Sequence, residues 1–312
     1  MNLHELVAQY VGYKQSMGMR FRTEAGVLKS FCQTMGDATI AQIHPEAVEA
    51  FLAGNGPVTR FWHRKYEVLL GFYRFAVARH YVAVSPLPKT VPKPTRLFVP
   101  HIFSQDELKR LLVAAESYQH PQAKMESHTC RALLLLLYGA GLRISEAISL
   151  TLADACLSSA TLTIRDSKFY KTRLVPIGSD LCGVMTIYAA RRLRDHPAKP
   201  DAPFFVCRTG DPVTRSAAEN AFCRLRLRAG VLRHDAARYQ PRLHDLRHAF
   251  ALHRLVSWYR EGADVQRLLP QLATYLGHVD IAATQRYLAM TPELLREASK
   301  RFERYAQEDQ HE

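Results

Sequence analysis

Apolar positions recur at three- and four-residue intervals over residues 3–17, 24–35, 45–53 and 58–82, the spacing that lines one face of an α-helix. Gly18, Gly36 and the Gly54-Asn55-Gly56-Pro57 stretch separate these segments, so the pattern predicts a bundle of short helices. Residues 85–100 change character. Pro86, Pro88, Pro92, Pro94 and Pro100 alternate with Lys89, Lys93 and Arg96, which excludes a helix and predicts an extended basic linker. Beyond it, Ser104-Gln105-Asp106-Glu107 is a capping box ahead of Leu108, Leu111 and Leu112, and a second helix is expected over residues 127–138. The Gly139-Ala140-Gly141 break leads into residues 144–150. Thr161-Leu162-Thr163-Ile164 and Arg173-Leu174-Val175-Pro176 then read as two strands joined by a polar turn, and Phe204-Phe205-Val206 as a further short strand. The remainder to Ala306 is mostly helical. The expected fold is therefore mainly α with a small antiparallel β-sheet (α+β): a helical domain over residues 1–84, a linker over 85–100 and a second domain over 101–312.

The longest apolar run, residues 132–142, is far below the roughly 20 residues that span a bilayer and reads as a buried core helix. With 312 residues, both domains can bury real cores, and a small disulfide scaffold or peptide hormone is excluded. Hydrophobic residues at 47% and charged residues at 23% give a globular balance rather than a disordered one. The charge changes the picture more: 42 Lys plus Arg against 29 Asp plus Glu leaves +13, which points to a polyanionic partner rather than merely a basic soluble surface. Residues 1–100 carry 12 Lys plus Arg against 6 Asp plus Glu, so the surplus is not confined to one domain. Six separated cysteines without a C-x-x-C pair indicate buried free thiols in a reducing cytoplasm, not a zinc ribbon or a disulfide framework. The first ten residues do not read as a signal peptide, so the expected location is cytoplasmic, with no membrane partner.

Four pieces of the second domain carry phosphate-compatible or proton-transferring groups. Arg143 follows the Gly139-Ala140-Gly141 turn at a helix start, where a guanidinium can fork onto two phosphate oxygens. Lys168 sits in the turn between the two strands, where an ammonium could donate a proton to a leaving oxygen. His244 and Arg247 stand three residues apart on one helical face, while His244 and His248 at i and i+4 could instead form a metal pair, which no nearby acidic triad completes. Leu276-Gly277-His278 places an imidazole at a glycine turn, with Tyr287 nine residues on. Taken singly, such pieces are more often surface or packing features. Together they supply two guanidinium forks, a lysine, imidazoles and a phenol, an inventory suited to phosphoryl transfer to a tyrosine oxygen.

In this combination the sequence resembles the tyrosine recombinases, the phage-integrase family of site-specific recombinases, over nearly all of residues 103–306. The likeness rests on Gly-Leu-Arg143-Ile-Ser-Glu146, Lys168 upstream of Arg-Leu-Val-Pro-Ile, His244-x-x-Arg247, Leu-Gly-His278 and Tyr287, in the family's order. Residues 1–84 are similar in size, basicity and position to the family's helical core-binding domain. The stretch 265–275, with Leu268-Leu269-Pro270, is longer than the family's usual approach to Leu-Gly-His and is similar to a mobile-element subgroup whose members can act in sets of several recombinases.

The resemblance implies breakage and rejoining of double-stranded DNA at specific sites through a 3′-phosphotyrosyl intermediate on Tyr287, without ATP, divalent ion or other cofactor. It implies Arg143 and Arg247 as phosphate clamps, Lys168 as general acid, His244 as proton shuttle at the tyrosine and His278 as a phosphate hydrogen-bond donor. Glu146 either orients these neighbours or forms a surface salt bridge. Two other readings remain open at this point: a type IB topoisomerase-like relaxing enzyme, and a DNA-binding regulator that keeps the fold without the reaction. Leu295, Ala298, Phe302 and Tyr305 fall on one apolar stripe after Tyr287, which either packs on its own domain or, as the resemblance implies, docks on a neighbour within a homo-tetramer on paired sites.

Overall fold

The computed structural model describes residues 2–56, 58–93, 99–118, 122–165, 172–235, 237, 239–278, 282–285, 287, 296, 297 and 299. Lys168 and the stripe residues Leu295, Ala298, Phe302 and Tyr305 lie outside the described residues. The chain divides into two compact units, Met1–Phe98 and Val99–Glu312.

The first unit holds helices α1 (Leu3–Ser16), α2 (Arg22–Met35), α3 (Pro45–Ala53) and α4 (Arg60–Ala78). Three of them begin where local chemistry favours it. Asn2 and Glu5 form a reciprocal capping box on α1, Pro45 occupies the first turn of α3, and the Thr59 hydroxyl accepts from the Trp62 amide on α4. The apolar faces meet in a core of Leu3, Leu6, Phe31, Leu69, Phe72 and Tyr73. Past α4, residues 79–93 contain no helix, and Pro88 accepts a hydrogen bond from Tyr66, so this part of the proline-rich segment packs on the first unit.

The second unit is built around α6 (Ser127–Gly139), against which α5 (Gln105–Glu116), α7 (Ile144–Ile148), α8 (Ser179–Asp195), α9 (Arg215–Arg228) and α10 (Asp245–Arg260) all pack. The expected capping box is present on α5: Ser104 Oγ accepts from the Glu107 amide at 3.1 Å and Glu107 accepts from the Ser104 amide at 2.8 Å. Ala132, Leu133, Leu134, Leu136 and Leu137 of α6 are buried, which accounts for its continuous apolar run. A three-stranded antiparallel sheet, β1 (Ala155–Cys156), β2 (Thr161–Ile164) and β3 (Arg173–Pro176), lies in the order β1-β2-β3, with Ile164 opposite Arg173. Helices α11 (Val265–Leu276) and α12 (Ala282–Gln285) follow, α11 packing on both α10 and β3.

Two expectations are corrected. Phe204-Phe205-Val206 is not a strand: Thr151↔Pro203 and Val206↔Pro212 are isolated bridges, because prolines at those positions remove the donors a ladder needs. The third strand is instead the two-residue β1. All six cysteines are free thiols, three of them buried, while Cys156 and Cys223 are exposed. Among the described residues, no helix is long and apolar enough to cross a membrane.

Gly141 shows how tightly the turn after α6 is built. Its φ of +59° is left-handed, and a Cβ there would lie 2.4 Å from the Phe250 ring. Gly141→Ala is therefore expected to destabilise the second unit through about 1–2 kcal/mol of backbone strain and about 1–3 kcal/mol of overpacking. Urea unfolding measures the sum; an unchanged midpoint would mean that the turn relaxes without cost.

Candidate active site

The end of α11 organises the site. A helix leaves its last carbonyls without intrahelical partners and carries partial negative charge there, so cations gather at it. Gly277 ends α11 in a left-handed conformation, φ +65° and ψ +44°, and turns the chain so that these carbonyls are open. Three arginines from distant parts of the sequence take them. Arg173 on β3 donates to Tyr275 O at 3.0 Å, Arg247 on α10 donates to Leu276 O at 2.6 Å, and Arg143 donates to Gly277 O at 3.2 Å. Arg247 also donates to Gly141 O at 2.7 Å, which ties the α6–α7 turn into the cluster.

One carboxylate sits among these cations. Glu146, on the first turn of α7, accepts from the Arg143 amide at 3.0 Å and its guanidinium at 2.7 Å, and from both terminal nitrogens of Arg173 at 3.1 and 2.9 Å. Arg247 lies 3.8 Å from it. Burial opposes ionisation of Glu146, but the hydrogen bonds and charges of Arg173 and Arg143 outweigh that cost and hold its pKa at about 2. Its side chain is 5% exposed, so the surface salt-bridge reading is wrong; it is a buried partner to the arginines. Three guanidinium groups and one carboxylate leave a surplus of two positive charges. Burial and the neighbouring Arg143 charge push Arg247 down to about 10, so it remains protonated near neutrality.

The imidazoles and the phenol lie beside this cluster. His244 is the residue that precedes α10, with Arg247 fully buried one turn on. It lines a cleft of about 630 Å³ together with Arg143, Arg215, Arg226 and Arg242, against a single Glu219. His278 follows Gly277, and its Nδ1 lies 2.6 Å from the Thr284 hydroxyl, which fixes the ring from α12. Tyr287 is 3% exposed; its hydroxyl is 3.1 Å from His248 Nδ1, and its ring centroid is 6.3 Å from that of His278. Burial first, then nearby arginines or imidazoles, lowers His244, His248 and His278 to about 4, so all three are neutral at pH 7. A neutral imidazole can accept a proton or donate one hydrogen bond without adding charge.

Of the residues singled out from sequence, Arg143, Glu146, Arg247, His244, His278 and Tyr287 thus fall within one contiguous region, and Lys168 lies outside the described residues. Arg173 is not among the candidates the sequence offers; it shares a strand face with buried Val175, and a charge on a core-facing strand position is the available signal. His248, in the sequence only the second half of a possible metal pair, has Tyr287 as its neighbour in space. Nothing in the spacing announced Thr284.

Gly277 also makes room for Arg173: a Cβ would approach its guanidinium to 2.7 Å. Arg173→Met should lower stability toward the lower end of about 3–5 kcal/mol, the cost of breaking a buried pair when Arg143 still holds Glu146. Arg173→Lys should recover part of the loss, since an ammonium keeps the charge but not the fork. Unfolding measurements on both, combined with Glu146→Leu in a double-mutant cycle, check it; strictly additive losses would show that the pair is not coupled.

Comparison with known proteins places this geometry. Residues 101–293 match the phage integrase family. The y4rB integrase/recombinase of Sinorhizobium fredii is 35% identical over 96% of this chain and 96% of its own length. Tyrosine recombinase XerD of Ralstonia nicotianae is 32% identical over 75% of this chain and 70% of its own. The fold is shared with the Tn1549 transposon integrase in complex with transposon right end DNA, at TM-score 0.72 and 16% identity over 98% of this chain and all of that one. It is also shared with a lambda integrase tetramer bound to a Holliday junction, at TM-score 0.67 and 17% identity over 92% of this chain and 77% of that one. The matched family domain covers the arginine cluster, the imidazoles and the tyrosine, and the relatives align across three quarters of the chain or more: it belongs to the phage integrase family, the tyrosine-type site-specific DNA recombinases.

Proposed function

We propose that this recombinase breaks and rejoins double-stranded DNA through a 3′-phosphotyrosyl bond to Tyr287. The observation that carries the reading is the buried excess of positive charge: three arginines share one carboxylate next to a phenol and neutral imidazoles. A phosphodiester supplies the missing negative charge, and its non-bridging oxygens gain further charge in the transition state. Arg143 and Arg247 stabilise that charge, while Glu146 and Arg173 hold them in place. A phenol with a pKa of about 10 is a weak nucleophile at neutral pH, so it needs this field and a proton acceptor. His244 serves the proton traffic at the tyrosine, His278 hydrogen-bonds the phosphate, and Lys168, which falls between β2 and β3 in the sequence, protonates the leaving 5′-oxygen. The released 5′-hydroxyl of a partner strand then attacks the phosphotyrosine, so the bond energy is conserved.

The acting assembly in this reading is a homo-tetramer on paired sites, in which the stripe Leu295, Ala298, Phe302 and Tyr305 docks on a neighbouring protomer. Its natural setting is a mobile element, alone or in a set with other recombinases. The basic cleft beside Arg143 and the surplus charge of residues 1–100 favour DNA contact by both units.

Cleavage of a nicked duplex in excess EDTA is expected to proceed, because the site presents cationic side chains where a metal-dependent nuclease needs carboxylates. Tyr287→Phe is expected to abolish the covalent adduct on a denaturing gel while DNA binding stays within about threefold, since only the nucleophilic oxygen is removed. Activity lost on chelation and restored by magnesium would contradict the mechanism, and an adduct that persists in the Phe variant would move the role to another tyrosine, Tyr275 first.

A further inference from the structure

We propose that His248 is a catalytic residue that takes the proton of Tyr287 during cleavage and returns it during rejoining. The inference rests on the functional reading above, with Tyr287 as the nucleophile, and revises it in one respect: the proton transfer at the tyrosine passes from His244 to His248, whose Nδ1 is the ring nitrogen at the phenol. A general base must stand within hydrogen-bond reach of the proton it removes, and His248 Nδ1 is 3.1 Å from the Tyr287 hydroxyl. Its position is firmly set: it lies on the first turn of α10 between buried Arg247 and buried Ala249. In the tautomer protonated at Nε2, Nδ1 accepts the phenol proton. His244 packs edge-on against His248, with ring centroids 4.9 Å apart, and faces the cleft that Arg143 also lines. The order in space is therefore cleft, His244, His248, phenol.

The surroundings suit a base that is idle until DNA arrives. Burial and the neighbouring His244 keep the free ring neutral, and Arg242 and Arg247 act in the same direction, while Asp245 opposes them. A phosphodiester anion entering beside the arginines offsets their field and raises the basicity of the imidazole when the proton must move. The step balances. As the Tyr287 oxygen bonds to phosphorus, the phenol proton passes to His248 and the bond from phosphorus to the 5′-oxygen breaks, that oxygen taking a proton from Lys168. In rejoining, the 5′-hydroxyl gives its proton to Lys168, its oxygen bonds to phosphorus, and the departing Tyr287 oxygen recovers its proton from His248.

A merely structural hydrogen bond and a proton transfer are separable at this position. In His248→Asn the amide oxygen can stand near the place of Nδ1 and accept the hydrogen bond, but it cannot take the proton. Single-turnover cleavage of a nicked duplex by the full-length chain is expected to fall about 10²- to 10⁴-fold in His248→Asn and in His248→Phe, the usual worth of a general base. Placing difluorotyrosine at position 287, which ionises well below an ordinary phenol, is expected to shrink that loss by about an order of magnitude or more, because less proton transfer is then required. The same fluorinated background should leave the defect of His244→Phe largely unrelieved.

Near-normal cleavage by His248→Asn would overturn the proposal, reducing the contact to packing, and relief of His244→Phe alone would make His244 the base. A fluorinated background that relieves neither variant would also overturn it. Thermal unfolding of each variant separates lost folding from lost chemistry, and if the Phe variant unfolds, the Asn variant carries the test. Failure of the underlying reading looks different: in that case the Tyr287→Phe chain still forms the adduct.

Discussion

The convergence of three guanidinium groups on one buried carboxylate and on the open end of α11 is the constraint around which the second unit is arranged. Arg143, Arg173 and Arg247 come from the start of α7, from β3 and from α10, and none could be buried alone without a severe desolvation cost. Glu146 and the carbonyls of Tyr275, Leu276 and Gly277 make the burial tolerable. This explains requirements that would otherwise look unrelated. Gly277 must be a glycine because the helix has to end there and because Arg173 occupies the space a Cβ would fill. Gly141 must turn in a left-handed conformation because its carbonyl has to meet Arg247.

The arrangement is incompletely neutralised by design of its own composition, and that incompleteness is what gives it a use. A fully paired cluster would only stiffen the fold, whereas a net positive site with few mobile dipoles favours an anion and favours it more as charge accumulates on its oxygens. The imidazoles contribute differently. Being neutral, they add no further repulsion to the arginines, and Thr284 and Tyr287 give His278 and His248 defined orientations. Among the described residues, the same helix α10 carries both the most buried arginine and the imidazole at the phenol, so packing of α10 on α6 positions the two together.

What could be read from the sequence follows the range over which each signal acts. Helix starts such as Ser104-Gln105-Asp106-Glu107 are local chemistry and were legible. The buried run of α6 was legible from its unbroken apolarity. The two-residue β1 was not, since Ala155 and Cys156 become a strand only through pairing with Leu162 and Thr161. Phe204-Phe205-Val206 has strand composition, but the pairing that would make it one is cut by Pro203 and Pro212. Arg143, Glu146, Arg247 and Tyr287 stood out because they belong to a recognisable ordered set. Arg173 and His248 did not, because their significance lies in partners 27 and 39 residues away, and only the fold brings those together.

The most direct measurement is to locate the covalent bond itself. The full-length chain is reacted with a nicked duplex that releases its cleaved strand, the DNA is trimmed to a single nucleotide, and the tryptic peptides are sequenced by mass spectrometry. If the arginine cluster serves Tyr287, the nucleotide is carried through its 3′-phosphate by the peptide that begins at Tyr287, after cleavage at Arg286. A nucleotide on the peptide containing Tyr275, or attachment through a 5′-phosphate, would contradict it.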